Sequence, residues 1–213
     1  MSPPRAVVAL LFLVVSAGAC GAPPGSADGS DRDASRATPP EATVPDVLIP
    51  APDLAGVELR NQGDEPVAFE SLRGKPALVS FIYTRCPMPE MCPATTLRFQ
   101  EMQESLSAEE RTRVRLISIS FDSEHDTPEV LADYAELWDV DGSFWTLLTG
   151  DADSIRRVAS AYGAWYESTP DGTFDHPMMS MILLPDGALH RVLTGSAWDS
   201  AEIAGVLRDL APR

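Results

Sequence analysis

Two cysteines six positions apart, Cys86 and Cys92, stand in the string FIYTRCPMPEMCPATT (Phe81 to Thr96), and a third, Cys20, lies near the amino end of the 213-residue chain. A cysteine reacts as its thiolate, which either attacks a disulfide or binds a soft metal ion. The apolar run before Cys86 puts that residue at the carboxyl end of a predicted buried strand. The pattern after Cys92 puts it just ahead of a predicted helix, so both face the edge of an open α/β sheet where ligands usually bind. The positive end of that helix and the cation of Arg85 would both favour thiolate character. A purely structural disulfide would add little here, since Pro87, Pro89, Pro93 and the later Pro128 already stiffen the neighbourhood.

The elements that must hold these thiols can be read from periodicity. ALVSFIY (Ala77 to Tyr83) and VRLISISF (Val114 to Phe121) are β-branched and aromatic runs of the kind buried on both faces of a parallel sheet. Between them, Ala94 to Leu106 carries Phe99, Met102 and Leu106 at helical spacing. Thr127 to Val140 carries Val130, Leu131, Tyr134 and Trp138, and Asp153 to Tyr162 carries Ile155, Val158, Ala159 and Tyr162 before Gly163 ends it. MMSMILL (Met178 to Leu184), the turn Pro185 to Gly187 and LHRVLTG (Leu189 to Gly195) read as a hairpin, and a last helix runs from about Asp199 to Leu210. The order β, α, β, α, α, β, β, α predicts a thioredoxin-like α/β sandwich around a central mixed sheet.

The segment ahead of this domain reads as an address and a tether. Residues 1–19 carry one basic residue, Arg5, an apolar run from Ala6 to Val15, and the small residues Ser16, Ala17, Gly18 and Ala19 before Cys20. This layout predicts a secretory signal, too short for a comfortable membrane span. The small residues leading into Cys20 resemble a bacterial lipobox, which implies cleavage there and acylation of Cys20. Residues 20–50 show no apolar periodicity and carry six prolines, the composition of a flexible linker with a reach on the order of 30 Å. Residues 51–213 then form one domain. In the extracytoplasmic space Cys86 and Cys92 would remain as a pair prone to oxidise. A formal charge of -16, with Lys75 the single lysine, excludes a phosphate backbone as partner, so no nucleic acid is expected.

The three blocks FIYTRCPMPEMCP, SISFDSEHDTPEVLADYAE (Ser118 to Glu136) and DHPMMSMILLPDG (Asp175 to Gly187) resemble, in order and spacing, the SCO/SenC/PrrC family of copper-binding thioredoxin-fold proteins over about residues 52–210. The resemblance implies copper as the bound metal, as Cu(I) or Cu(II), and Cys86, Cys92 and His176 as its ligands. It places the usual family aspartate on Asp122, with Asp126, Thr127 and Pro128 completing the block. It also implies delivery of copper for the binuclear CuA centre of cytochrome c oxidase, with the copper-receiving subunit or another periplasmic copper or thiol protein as partner. The protein would then be lipid-anchored to the bacterial cell membrane. Two departures stand out: five residues rather than three separate the cysteines, and Pro177 follows the histidine where Ser or Thr is usual.

Elementary coordination chemistry agrees with that implication. Two thiolates and an imidazole form a small, soft set suited to copper, whereas zinc normally takes four ligands. The rival is a thiol-disulfide oxidoreductase that keeps a partner's cysteines reduced, for which Cys86 and Cys92 suffice without His176. His125 and His190 lack such context and read as surface residues. Met88 and Met91, in the polar loop, could supply a soft thioether, while Met179 and Met181 alternate in a strand and read as packing. Asp122 reads as a support near the site or a cap for the following helix.

Overall fold

The structure, a computed structural model, describes residues 49–212. Cys20, the signal segment and nearly all of the linker lie outside the described residues. In chain order the elements are β1 (Glu58–Asn61), β2 (Pro66–Ala68), a 3-10 turn (Phe69–Leu72), β3 (Ala77–Ile82), α1 (Cys92–Ser105), α2 (Ala108–Arg111), β4 (Arg115–Ser120), α3 (Pro128–Leu137), β5 (Trp145–Thr149), α4 (Ala152–Ala161), β6 (Glu167–Ser168), β7 (Phe174–Asp175), β8 (Met179–Leu183), β9 (Leu189–Thr194) and α5 (Ser200–Leu210).

Seven strands form one sheet in the order β2-β1-β5-β4-β3-β8-β9, and β6 pairs with β7 as a separate ribbon. At the centre β3 and β4 run parallel, from Ala77 opposite Arg115 to Ile82 opposite Ser120. All six residues of β3 are buried, as a strand covered on both faces requires. On its other side β3 pairs antiparallel with β8, and β4 pairs parallel with β5. The sheet is therefore mixed, and the thioredoxin-like expectation agrees with it. Two features differ from the predicted order. A fifth major strand, β5, separates α3 from α4, and the β1–β2 hairpin adds an antiparallel edge to β5.

The helices after α1 begin where side chains can satisfy free backbone donors. Thr127 caps α3 through its hydroxyl, which accepts from the Val130 N–H at 3.4 Å. Asp151 and Asp199 do the same for α4 and α5, each accepting from two backbone N–H groups. The first helix starts two residues earlier than its apolar stripe suggests, because Pro93 is harmless in a first turn where its missing N–H has no partner to lose. The third stops short of Val140: Asp139 turns left-handed at φ +51°, and Gln100 and Gln103 of α1 donate to the carbonyls of Trp138 and Asp139 at 3.0 and 2.7 Å.

That arrangement ties α1 to the core. Phe99 packs against Trp145 with ring centroids 5.6 Å apart, and the fully buried Trp145 donates its indole N–H to Ser118 Oγ at 3.1 Å. Fully burying a side chain of the Phe99 class stabilises by roughly 1.5–3 kcal/mol. Because β3 and β4 are parallel, their carboxyl ends share one edge. The Phe121 N–H donates across it to the Ile82 carbonyl at 3.1 Å, setting the segments after β3 and β4 side by side.

Candidate metal centre

The chain leaves β3 at Ile82 and turns at once: the Cys86 N–H donates to the Tyr83 carbonyl at 3.3 Å and the Met91 N–H to the Met88 carbonyl at 3.1 Å. The first turn delivers Cys86, and the second lies within the loop between the cysteines. Both thiols are free. Cys86 is half-buried, with its sulfur 3.8 Å from the Met88 carbonyl oxygen, whereas Cys92 is only 2% exposed and is the first residue of α1 rather than a residue ahead of it. Burial pushes the Cys92 thiol up, and the neighbouring Cys86 adds to that. Thiolate character at Cys92 was the expectation from the helix end; in the folded protein desolvation outweighs that dipole.

Arg85 is committed elsewhere as well. Its guanidinium Nε donates to Asp122 Oδ2 at 2.6 Å, and that carboxylate is 3% exposed. The cation expected to support the Cys86 thiolate is thus neutralised by Asp122, which is not the cap of α3, since Thr127 is. Asp126 has a different task. Fully buried, it accepts from the Thr84 N–H at 2.9 Å, the Thr84 hydroxyl at 2.6 Å, the Ser120 hydroxyl at 2.5 Å and the His125 ring at 2.9 Å. One carboxylate therefore pins the residues just before Cys86 to the end of β4. Sequence reasoning named Asp126 without its task. The signal was available in the polar residues Thr84 and Ser120, set where two apolar strands end.

His176 enters from the opposite side of β3. Extended past the strand ends, the register pairing Ser80 with Ser180 leads to His176 level with Thr84, two residues before Cys86. All peptide bonds among the described residues are trans, that of Pro177 included. The ring packs against Phe121 at 4.8 Å and stands edge-on to Tyr83 at 6.1 Å between centroids. Its Nδ1 lies 3.2 Å from the Pro177 carbonyl oxygen, so the tautomer with hydrogen on Nδ1 donates there and leaves a lone pair on Nε2. Nε2 is buried with no hydrogen-bond partner. Burial also holds the imidazole pKa below its ordinary value, which keeps the ring neutral.

The edge thus carries two free thiols and a neutral imidazole with an idle lone pair, separated by Tyr83. Their ligand atoms are not drawn within 4.8 Å of one another; among the described residues that closeness is reached by Asp122, His125 and Asp126, whose atoms already serve Arg85, Thr84 and Ser120. Met88 and Met91 are half-buried in the loop, and Met181 is fully buried in β8 as packing. His125 is exposed and His190 half-buried in β9. Beside the aromatic wall opens a cavity of about 600 Å³, lined by Arg85, Phe121, Asp122, Arg156, Tyr166 and Phe174 among others.

The model of the SCO1/SenC family matches residues 55–211. The SCO1 protein homolog of Bacillus subtilis is 37% identical over 139 residues, which cover 64% of this chain and 70% of that one. A relative from Stutzerimonas stutzeri is 29% identical over 137 residues, 62% of this chain and 65% of its own length. The chain thus spans about two thirds of the length of these two relatives, and half or less of several others. Among solved structures, Bradyrhizobium japonicum ScoI with copper bound superposes with a TM-score of 0.62 at 28% identity, covering 72% of this chain and 96% of that one.

Proposed function

We propose that this chain, which belongs to the SCO1/SenC family, is a membrane-tethered extracytoplasmic copper carrier that takes one copper ion as cargo through Cys86, Cys92 and His176. The observation that carries this reading is the buried His176 Nε2, unpartnered at the sheet edge that also bears two free thiols. Leaving a buried acceptor unsatisfied costs about 1–3 kcal/mol, which a ligand would offset. The copper-bound ScoI structure supports copper as that ligand. Both sulfurs bind as thiolates, so loading releases their protons and becomes harder as pH falls. Because the three ligand atoms are not gathered, loading requires a local rearrangement of the edge. A three-ligand site leaves room for an incoming sulfur, and so for hand-over by ligand exchange to the CuA-bearing subunit of cytochrome c oxidase. Acylation at Cys20 would hold the carrier at the membrane beside such a recipient. Titration of the full chain with copper tests the reading: Cys86→Ser and Cys92→Ser variants should lose stoichiometric binding, and stoichiometric binding retained by both would overturn it.

A second reading has its own support. The half-buried Cys86 and the nearly inaccessible Cys92 have the asymmetry of an attacking and a resolving thiol, so a thiol-disulfide oxidoreductase acting through the same pair remains the alternative. In it Cys86 attacks a partner's disulfide, one partner sulfur leaves as thiolate, and Cys92 then displaces the other. The partner is left reduced and Cys86–Cys92 oxidised.

A further inference from the structure

β9 ends the seven-stranded sheet, and an edge of this kind invites another strand unless something covers it. Ile49, the first described residue, already covers part of it. It forms an antiparallel bridge with Leu189, in which the Ile49 N–H donates to the Leu189 carbonyl at 3.3 Å and the Leu189 N–H to the Ile49 carbonyl at 2.9 Å. Antiparallel pairing carries the residues before Ile49 along β9 toward Thr194. The register follows from a bulge in β9, which sets Leu189 and Val192 opposite Leu183 and Met181, two residues apart on β8. A regular strand on the outer side therefore brings Val47, two residues before Ile49, level with Val192. The Gly195 N–H donates to the Met178 carbonyl on the β8 side, so by alternation Leu193 faces β8 and the Val192 and Thr194 amides face outward. Ile49 and Val192 are both half-buried against the core, which leaves apolar surface for a valine between them to cover. Charge agrees: β9 carries His190 and Arg191 in a chain with 32 acidic residues against 16 Lys and Arg, and Asp46 adjoins Val47.

We propose that residues 45–48 dock on the outer side of β9 as an eighth strand, with Val47 and Val192 exchanging two backbone hydrogen bonds. Pro45, level with Thr194, accepts a hydrogen bond but has no N–H to donate, so the ladder ends there. The consequence is the place at which the linker leaves the domain. Thr194 lies opposite Met179, three residues past His176. The chain ahead of Pro45 is led off at the edge that bears Cys86, Cys92 and His176, not at the opposite edge where Ile49 pairs. This holds whether or not the domain carries copper or Cys20 carries lipid.

Amide hydrogen exchange of the full chain, resolved residue by residue by NMR, tests the docking. Val47→Pro removes the N–H that faces β9, so the Val192 amide should exchange about tenfold faster or more in that variant than in the wild type. Val79 and Ile117, in the centre of the sheet, should exchange alike in both, which separates undocking from a general loss of stability. Val47→Thr keeps the N–H and the β-branched shape and should keep the Val192 amide as slow as in the wild type. Equal exchange at Val192 in the wild type and Val47→Pro would overturn the proposal. So would protection that grows with protein concentration and survives Val47→Pro, which would make a second copy of this chain the occupant of the edge.

Discussion

At His176 the protein leaves undone what it does for most of its buried polar side chains: Nε2 has no hydrogen-bond partner. Replacing His176 by Ala should therefore lower Cu(II) affinity by at least the 10 to 100-fold typical of disturbing a ligand's supporting contacts. The sulfur charge-transfer band should weaken with it, while Cu(I), which two thiolates can hold, should suffer less. Unchanged spectra and affinity would remove His176 from the site. Burial has a second effect, because it depresses the imidazole pKa in the folded state. As pH drops below about 6.5, the unfolded chain takes up a proton that the folded chain resists, so stability falls through that window. Urea midpoints measured from pH 8 to pH 5 should fall less steeply in the His176→Ala protein. The thiols differ in the same spirit. Cys92 is nearly inaccessible and its pKa is raised, so iodoacetamide should modify Cys86 about tenfold faster or more, as peptide mapping would show. Equal rates would contradict the buried position of Cys92. The residue types and spacing were legible in the sequence, but the balance of forces on them was not. Whether a helix end or desolvation governs Cys92 depends on which turn of α1 it occupies, and whether Arg85 aids Cys86 depends on where Asp122 lies.

Among the elements, the segment before Cys86 owes its place to one carboxylate. Asp126 accepts from Thr84 twice, from Ser120 and from His125, bridging the ends of β3 and β4. Asp126→Ala leaves buried donors unpaired and should destabilise the protein by about 3 kcal/mol in urea unfolding. A loss under 1 kcal/mol would mean that the bridge is not what fixes this edge. The strands and helices that meet at the site were readable because their patterns are strong: β3 is apolar at every position but Ser80, and α4 ends at a glycine with φ +77°. The misses have physical causes. Trp145–Thr149 is a five-residue strand, too short to stand out between two helical stretches. The β1–β2 hairpin is a mostly exposed edge with a single residue, Leu59, buried in full, so it lacks the alternation that marks a half-buried strand.

On the scale of the whole molecule, the proposed anchor belongs to the segment ahead of the described domain. If Cys20 carries lipid, intact-mass measurement should show acyl mass on a mature chain beginning there, and Cys20→Ser should shift the protein from the membrane to the soluble fraction. A variant that stays with the membrane would place the anchor elsewhere. The sheet has a further consequence, for the order of events as the chain folds. Cys86 and Cys92 are six positions apart, but His176 lies 84 positions beyond Cys92 and reaches them only through the pairing of β8 with β3. In a flexible chain, closing the longer loop costs about 2 kcal/mol more than closing the shorter. The sulfurs are near neighbours from the moment the chain emerges, while the imidazole arrives with one of the most distant contacts in the fold, the kind that forms slowly. A newly made chain thus passes through a stage at which its sulfurs can close on each other before the histidine is there to compete.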